Sequence, residues 1–452
     1  MYTHTSESRE LNLVVSTRCN LHCSYCFLHK NNSYIKEDDN IKKALEDGSF
    51  FDNIGKSLDK MNYLKSSFTA INLWGAETTV HLDLLSKSLG RIFNEYHNIN
   101  QFNFSTNMAY DVNQIIGLLK TIEEVAPRPI TVNLQVSIDG PNSVLDKTRM
   151  VKNEVIRYNV DQIIDYCNSH VMKNLAIAII YKTTIPYNIM AEVCSSKSSY
   201  VDYVGFFNDE MCRFESRSIN KRLTFKTPNC ISCAPVAPTD FTTEQGIYAA
   251  DRARFIDQFD LRQEGLKYFW ATNLPLDLYN HPYKYNEQYT SSAACGQGDN
   301  VLLFRWDGSI VPCTSAIMED DPNYIKEVEG DGQWDKGIDT ILPWFIYPNR
   351  DDISPAEIKR QLQFKKDFWK YHFQYLKTVT LAMMYDMAEI KQISELYRSD
   401  SRALLRHGLK IITRTACYYN NMKSNGDPFI PQAGIIRIAC NGILEFADVK
   451  GC

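Results

Sequence analysis

The chain has 452 residues, 44% hydrophobic and 23% charged, with 20 Gly and 16 Pro; this composition belongs to a folded protein of two or three domains and excludes a small single module or a disordered chain. Its 49 Lys and Arg against 54 Asp and Glu give a net charge of −5 without a long basic block, so tight nucleic-acid binding through bulk charge is disfavoured. The longest apolar run near the middle, 175–180, is far short of the ~20 residues of a membrane span, and the polar start Met1-Tyr2-Thr3-His4 lacks a signal-peptide core, so a cytoplasmic protein without membrane partners is expected.

The first predicted element is a strand over 11–16, which alternates and is rich in β-branched residues. It runs straight into Thr17-Arg18-Cys19-Asn20-Leu21-His22-Cys23-Ser24-Tyr25-Cys26, so three thiols lie in one loop behind a strand. A reducing compartment leaves the 13 cysteines as metal ligands or buried apolar groups rather than disulfides. Iron–sulfur clusters are held by thiolates from such loops, and three local thiols on a four-iron cluster leave one iron open for chemistry. The competing reading is a zinc loop or a chance grouping. Zinc sites usually add a second Cys-x2-Cys or a His pair, and none lies close.

The spacing Cys-x3-Cys-x2-Cys, with the aromatic Tyr25 before the last thiol, resembles the signature of the radical S-adenosylmethionine (SAM) superfamily. The resemblance implies that Cys19, Cys23 and Cys26 hold a catalytic 4Fe-4S cluster whose open iron is chelated by SAM. An electron from the cluster would then cleave SAM to a 5′-deoxyadenosyl radical. Later strand ends resemble the same family in the same order. Gly75-Ala76-Glu77, closing a strand over 70–74, resembles the Gly-Gly-Glu that binds the SAM amino group. Ala76 replaces the second Gly and lacks its positive-φ freedom, so a slightly different loop is expected. Ser105 and Asn107, ending a strand over 101–105, resemble a Ser-Thr-Asn that faces SAM. Ser137-Ile138-Asp139-Gly140-Pro141, ending a strand over 131–137, resembles peptide- and protein-modifying members such as anaerobic sulfatase-maturating enzymes. That likeness implies ribose or carboxylate contacts from Ser137 and Asp139, and it continues through Lys147 and Arg149. Lys182, behind a strand over 174–181, reads as a partner of the SAM carboxylate or as a solvated strand end.

With a sixth strand over 201–207 and helices over 82–96, 112–124, 155–168 and 188–194, the alternation predicts parallel strands joined by right-handed crossovers. The expected fold class is α/β. A partial (β/α)6 TIM-like barrel over 1–210 would hold ligands at the C-terminal mouth of its strands, with residues 27–68 as a helical insertion over the cluster. An auxiliary-cluster hairpin domain over 211–350 and a helical region with a terminal hairpin over 351–452 would follow.

In the second region Cys295, the run 301–306, Asp307-Gly308 and a strand ending at Cys313 predict a hairpin. The spacing resembles the start of the SPASM or twitch domain that carries auxiliary clusters in this superfamily, although the further downstream cysteines of such domains are absent from this sequence. Cys230 and Cys233 would complete a four-thiolate site with Cys295 and Cys313, for an auxiliary 4Fe-4S cluster or for zinc; Cys417, Cys440 and Cys452 are rival ligands. Cys167 and Cys194 read as buried small hydrophobes. Ser354-Pro355-Ala356-Glu357 reads as a capping box opening a helix, stapled by Ile353 and Ile358, and Asn441-Gly442 as a late hairpin turn.

These likenesses imply a radical SAM enzyme that abstracts a hydrogen from a peptide or protein side chain and so crosslinks, epimerises or oxidises it or builds a thioether. A flavodoxin or ferredoxin would supply the electron. The alternatives are a twitch-type dehydrogenase of a small molecule and a non-catalytic iron–sulfur or zinc scaffold. Only 18 residues precede Cys19, too few for the leader-binding domain of many peptide-modifying relatives. A substrate without a leader, or leader binding by 351–452, is therefore expected.

Overall fold

The computed structural model describes residues 9–26, 34–186, 189, 192–193, 195–228, 231–234, 301–311 and 348–360. Strands β1 (Arg9–Ser16), β2 (Phe68–Gly75), β3 (Gln101–Thr106), β4 (Ile130–Ser137), β5 (Leu175–Pro186) and β6 (Leu223–Lys226) lie side by side in chain order, every pair parallel. β8 (Val301–Phe304) adds a seventh parallel strand beyond β1 and turns back into the antiparallel β9 (Ile310–Val311), while β7 (Ile231–Ala234) pairs with the later half of β5. The chain is thus α/β around a parallel sheet. Helices α1 (Tyr34–Asp47), α2 (Ser49–Lys60), α3 (Leu82–Glu95), α4 (Val112–Val125), α5 (Asn142–Thr148), α6 (Asn153–Ser169) and α7 (Lys197–Arg217) fill the connections. Among the described residues no helix is long and apolar enough to cross a membrane.

From β1 to β6 the chain always steps to the next strand, and right-handed crossovers of that kind put their connecting helices on one face. The strands alternate to suit. Leu11 and Leu13, Ile71 and Leu73, Phe102 and Phe104, Val132 and Leu134, and Ile177 and Ile179 are buried in one cluster with Leu89 of α3, Leu118 of α4 and Val160 of α6. Each such side chain contributes about 1.5–3 kcal/mol by leaving water. On the opposite face Asn12, Asn72, Asn103 and Asn133 share one cross-strand register. Their amides form a chain: Asn133 Nδ2 donates to Asn103 Oδ1 at 2.6 Å, Asn103 Nδ2 to Asn72 Oδ1 at 2.6 Å, and Asn72 Nδ2 to Asn12 Oδ1 at 2.9 Å. Trp74 Nε1 also donates to Asn12 Oδ1, at 2.8 Å, and its ring is 40% exposed, so this face is polar and partly wet.

Two expectations change. Residues 201–207 are not the sixth strand but lie inside α7, where Tyr200, Tyr203, Val204, Phe207 and Phe214 are buried at helical spacing behind the N-cap Ser196. The run of aromatic and β-branched residues imitates a strand, and the period of burial decides against it. The sixth strand is Leu223–Lys226 instead. The fifth runs on to Pro186, which places Lys182 within it rather than behind it. The helix expected over 188–194 and all elements expected after 360 lie wholly or largely outside the described residues.

The insertion after β1 is helical, and α1 and α2 grip the β8–β9 turn. Glu37 Oε1 accepts from Arg305 Nε at 2.9 Å, Arg305 Nη2 at 2.6 Å and Trp306 Nε1 at 2.9 Å, and Ser57 Oγ donates to the Gly308 carbonyl at 2.7 Å. The hairpin is therefore joined to the main sheet through β1 and bolted to its first helices. Gly308, with φ 79°, is required by that fit: a Cβ would meet Asn53 O at 2.6 Å. Ser354 caps the next helical turn, accepting from the Glu357 N–H at 3.1 Å, while Ile358 is fully buried.

Candidate metal centre

The three thiols follow β1 at the C-terminal end of the sheet, and the loop that carries them is fixed from two sides. From β2, the Ala76 N–H donates to the Ser16 carbonyl at 3.1 Å and the Glu77 N–H to the Arg18 carbonyl at 2.9 Å. Gly75 makes this approach feasible: its φ is 155°, and a Cβ there would stand 2.2 Å from Ser16 O. Ala76 is not among the positive-φ residues, so its Cβ brings no left-handed strain to the turn. From α1, the buried carboxylate of Asp38 accepts from the Thr17 N–H at 2.9 Å, the Arg18 N–H at 3.2 Å and Ser16 Oγ at 3.1 Å. Its other oxygen meets His81 Nε2 at 3.0 Å and Arg18 Nε at 3.1 Å.

Cys19, Cys23 and Cys26 are half-buried and form no disulfide. Cys19 Sγ accepts from the Leu21 N–H at 3.4 Å and from Asn107 Nδ2 at 3.6 Å; Arg149 Nη1 lies 3.9 Å from Cys23 Sγ. Burial pushes the Cys19 thiol up to about 12, with the charges of Glu77, Cys23 and Cys26 adding to it, and burial pushes Cys23 up to about 11 although Arg149 works the other way. Thiols so raised are protonated at neutral pH, and a bound cationic group would displace their protons. Among the described residues no group of His, Cys, Asp and Glu is gathered as a single-ion site. A 4Fe-4S cluster takes one thiolate at each iron corner, and so fits thiols set along one loop with N–H donors to their sulfurs.

Asp139, fully buried after β4, organises the far side. It accepts from Tyr25 Oη at 2.8 Å and from the Thr184 N–H at 3.1 Å, and it forms an ion pair with Arg149 Nε at 2.9 Å. Burial raises the Tyr25 phenol well above its ordinary value, so it remains a neutral donor. Burial opposes the charge on Arg149, but the Asp139 carboxylate outweighs it and holds the guanidinium protonated.

Glu77 is 2% exposed, and the protein's own donors already engage both of its oxygens: Thr79 Oγ1 at 2.7 Å and the Thr79 N–H at 3.3 Å on Oε1, and the Asn107 N–H at 2.8 Å on Oε2. It is a strut between β2 and β3 as much as a ligand candidate. Burial raises its pKa, outweighing those bonds. Glu77→Ala is expected to lower folding stability by about 1–3 kcal/mol for each donor it strands, read as a lower urea midpoint.

Ser105 is exposed and donates to Gln135 Oε1 at 3.2 Å. Ser137 and the exposed Lys182 sit opposite each other across β4 and β5. Cys167 is buried on α6 as expected, with its thiol raised to about 12 by burial. Of the expected auxiliary ligands, Cys230, Cys295 and Cys313 lie outside the described residues, as do Cys194, Cys417, Cys440 and Cys452, and only the backbone of Cys233 is described, in β7. Asp38 and His81 had no sequence signal, since neither belongs to a local pattern with the cysteine loop.

The geometry defines an α/β protein with a thiol loop at the C-terminal mouth of a parallel sheet. No model of a known protein family matches the chain, and no curated protein matches it either.

Proposed function

We propose that the chain is a radical SAM enzyme in which Cys19, Cys23 and Cys26 hold a catalytic 4Fe-4S cluster and whose substrate is a peptide or protein side chain. One observation carries this reading. Asn107 touches Cys19, and Asp139 and Arg149 touch Tyr25 and Cys23, so the ends of β3 and β4 and of the helix α5, 88 to 126 residues away in the chain, meet the thiol loop. The one-way winding from β1 to β6 supports a partial (β/α)6 barrel, whose ligands collect at the strand C-termini. With SAM bound, the cluster supplies a 5′-deoxyadenosyl radical for hydrogen abstraction.

The chain's own groups position and shield that chemistry. Asn107 and the Leu21 N–H fix the Cys19 sulfur, Tyr25 orients Asp139, and Ser137 with Lys182 flanks the mouth where the SAM carboxylate would be oriented. Cys230, Cys233, Cys295 and Cys313 are proposed as ligands of an auxiliary 4Fe-4S cluster, and a flavodoxin or ferredoxin as electron donor.

The reading is tested by anaerobic reconstitution with iron and sulfide, followed by dithionite and SAM. Formation of 5′-deoxyadenosine and methionine is expected. A protein that takes up a cluster yet leaves SAM intact overturns the proposal.

A further inference from the structure

Arg149 is placed oddly for a residue that merely balances Asp139. The Asp139 carboxylate already has two hydrogen bonds, from Tyr25 Oη and the Thr184 N–H. Arg149 does not dock on it as a fork. Its Nε lies 2.9 Å from Asp139 Oδ2 but makes no aligned hydrogen bond there, and it is a buried nitrogen without a hydrogen-bond partner. The guanidinium is turned instead so that Nη1 faces Cys23 Sγ at 3.9 Å while its carbon stands 5.6 Å from the Tyr25 ring centre. The side chain is 10% exposed and Asp139 is fully buried, so water screens this charge little.

We infer that Arg149, aimed by Asp139, sets the reduction potential of the cluster on Cys19, Cys23 and Cys26. The inference rests on the reading above. Reduction adds one electron to the cluster from a low-potential donor such as dithionite, with no proton transferred, so the reduced form carries one more negative charge. A buried cation beside a ligand sulfur stabilises that form and raises the potential; the anion paired with it has the opposite sign of effect. The two residues should therefore move the potential in opposite directions, which a general loosening of the site would not do.

The test is a potentiometric titration followed by electron paramagnetic resonance, without SAM, on the reconstituted full chain, alongside iron and sulfide content. Arg149→Gln is expected to shift the midpoint to more negative values by about 59 mV or more, a tenfold fall in the reduced-to-oxidised ratio for a one-electron couple. Asp139→Asn is expected to shift it to more positive values, and Arg149→Lys, which keeps the charge, to stay near wild type. Should Arg149→Gln fail to fold or to bind iron, a positive shift in Asp139→Asn beside an unchanged midpoint in Arg149→Lys still supports the assignment, and an unchanged or negative midpoint in Asp139→Asn overturns it. Equal midpoints, or shifts of one sign in Arg149→Gln and Asp139→Asn, overturn the assignment and leave the enzyme reading standing. A wild-type chain that takes up no cluster overturns both.

Discussion

Replacing Cys23 by Ala is expected to bring 5′-deoxyadenosine formation down to background and to strip iron from the first site. Three thiolates are the fewest that anchor a four-iron cluster with one open corner, and the neighbouring groups offer no substitute. Asn107 and Arg149 are donors to sulfur, Tyr25 is a neutral phenol, and the Asp139 carboxylate is committed to Tyr25, Thr184 and Arg149. Cys212→Ala, which changes an exposed thiol on α7, serves as the control and should behave as wild type. Undiminished product from the Cys23→Ala protein would remove the thiol loop from the chemistry.

Asp38→Ala should be among the most destabilising single changes in the described part of the chain. The carboxylate is 1% exposed and holds the Thr17 and Arg18 amides, Ser16, His81 and the Arg18 guanidinium. Removing one partner from such a buried charged network costs about 3–5 kcal/mol, a large share of the ~5–15 kcal/mol that a domain has in total. Burial acts to raise the carboxyl's pKa, but His81, the Thr17 amide and Ser16 outweigh it and hold the value below the ordinary one. A depressed carboxyl contributes its stability above the unfolded value of about 3.9 and loses it as pH falls through the folded value. Urea midpoints measured over a pH series should therefore fall in acid for the wild type, below about pH 4. Asp38→Asn should fall less steeply. Parallel curves for the two would show that Asp38 does not clamp the loop as a charged group.

Much of the sheet was legible because its strands alternate, which is unusual for parallel strands that are apolar on both faces. Here one face carries Leu, Ile, Val and Phe and the other the asparagines, so the period of two stands out in the sequence. The cysteine loop, the Ser354 cap and the Asp307-Gly308 turn were legible for a similar reason: each is a local pattern with a local cause. α7 was misread because aromatic and β-branched residues are common to strands and buried helices. The pairing of β8 with β1 joins Glu10 to Val301, and no local signal marks a contact so distant in sequence. Asp38 was hidden in the same way, because an acidic residue in a polar helix looks like a solvated one until the loop it holds is seen.

The asparagine chain also acts as a gauge for the height of the mouth. Hairpin turns dictate register, but the long crossovers between parallel strands do not, and a slip of one residue would swing an amide into the apolar layer beneath the helices. Each amide so stranded would cost about 1–3 kcal/mol. Only the alignment Asn12, Asn72, Asn103, Asn133 closes the chain. Four residues beyond Asn103 and Asn133 come Asn107 and Ser137, so a count kept in the floor of the sheet levels two of the loops beside the thiols, while β1 shifts register against β2 between Val14 and Ser16 before its own loop begins.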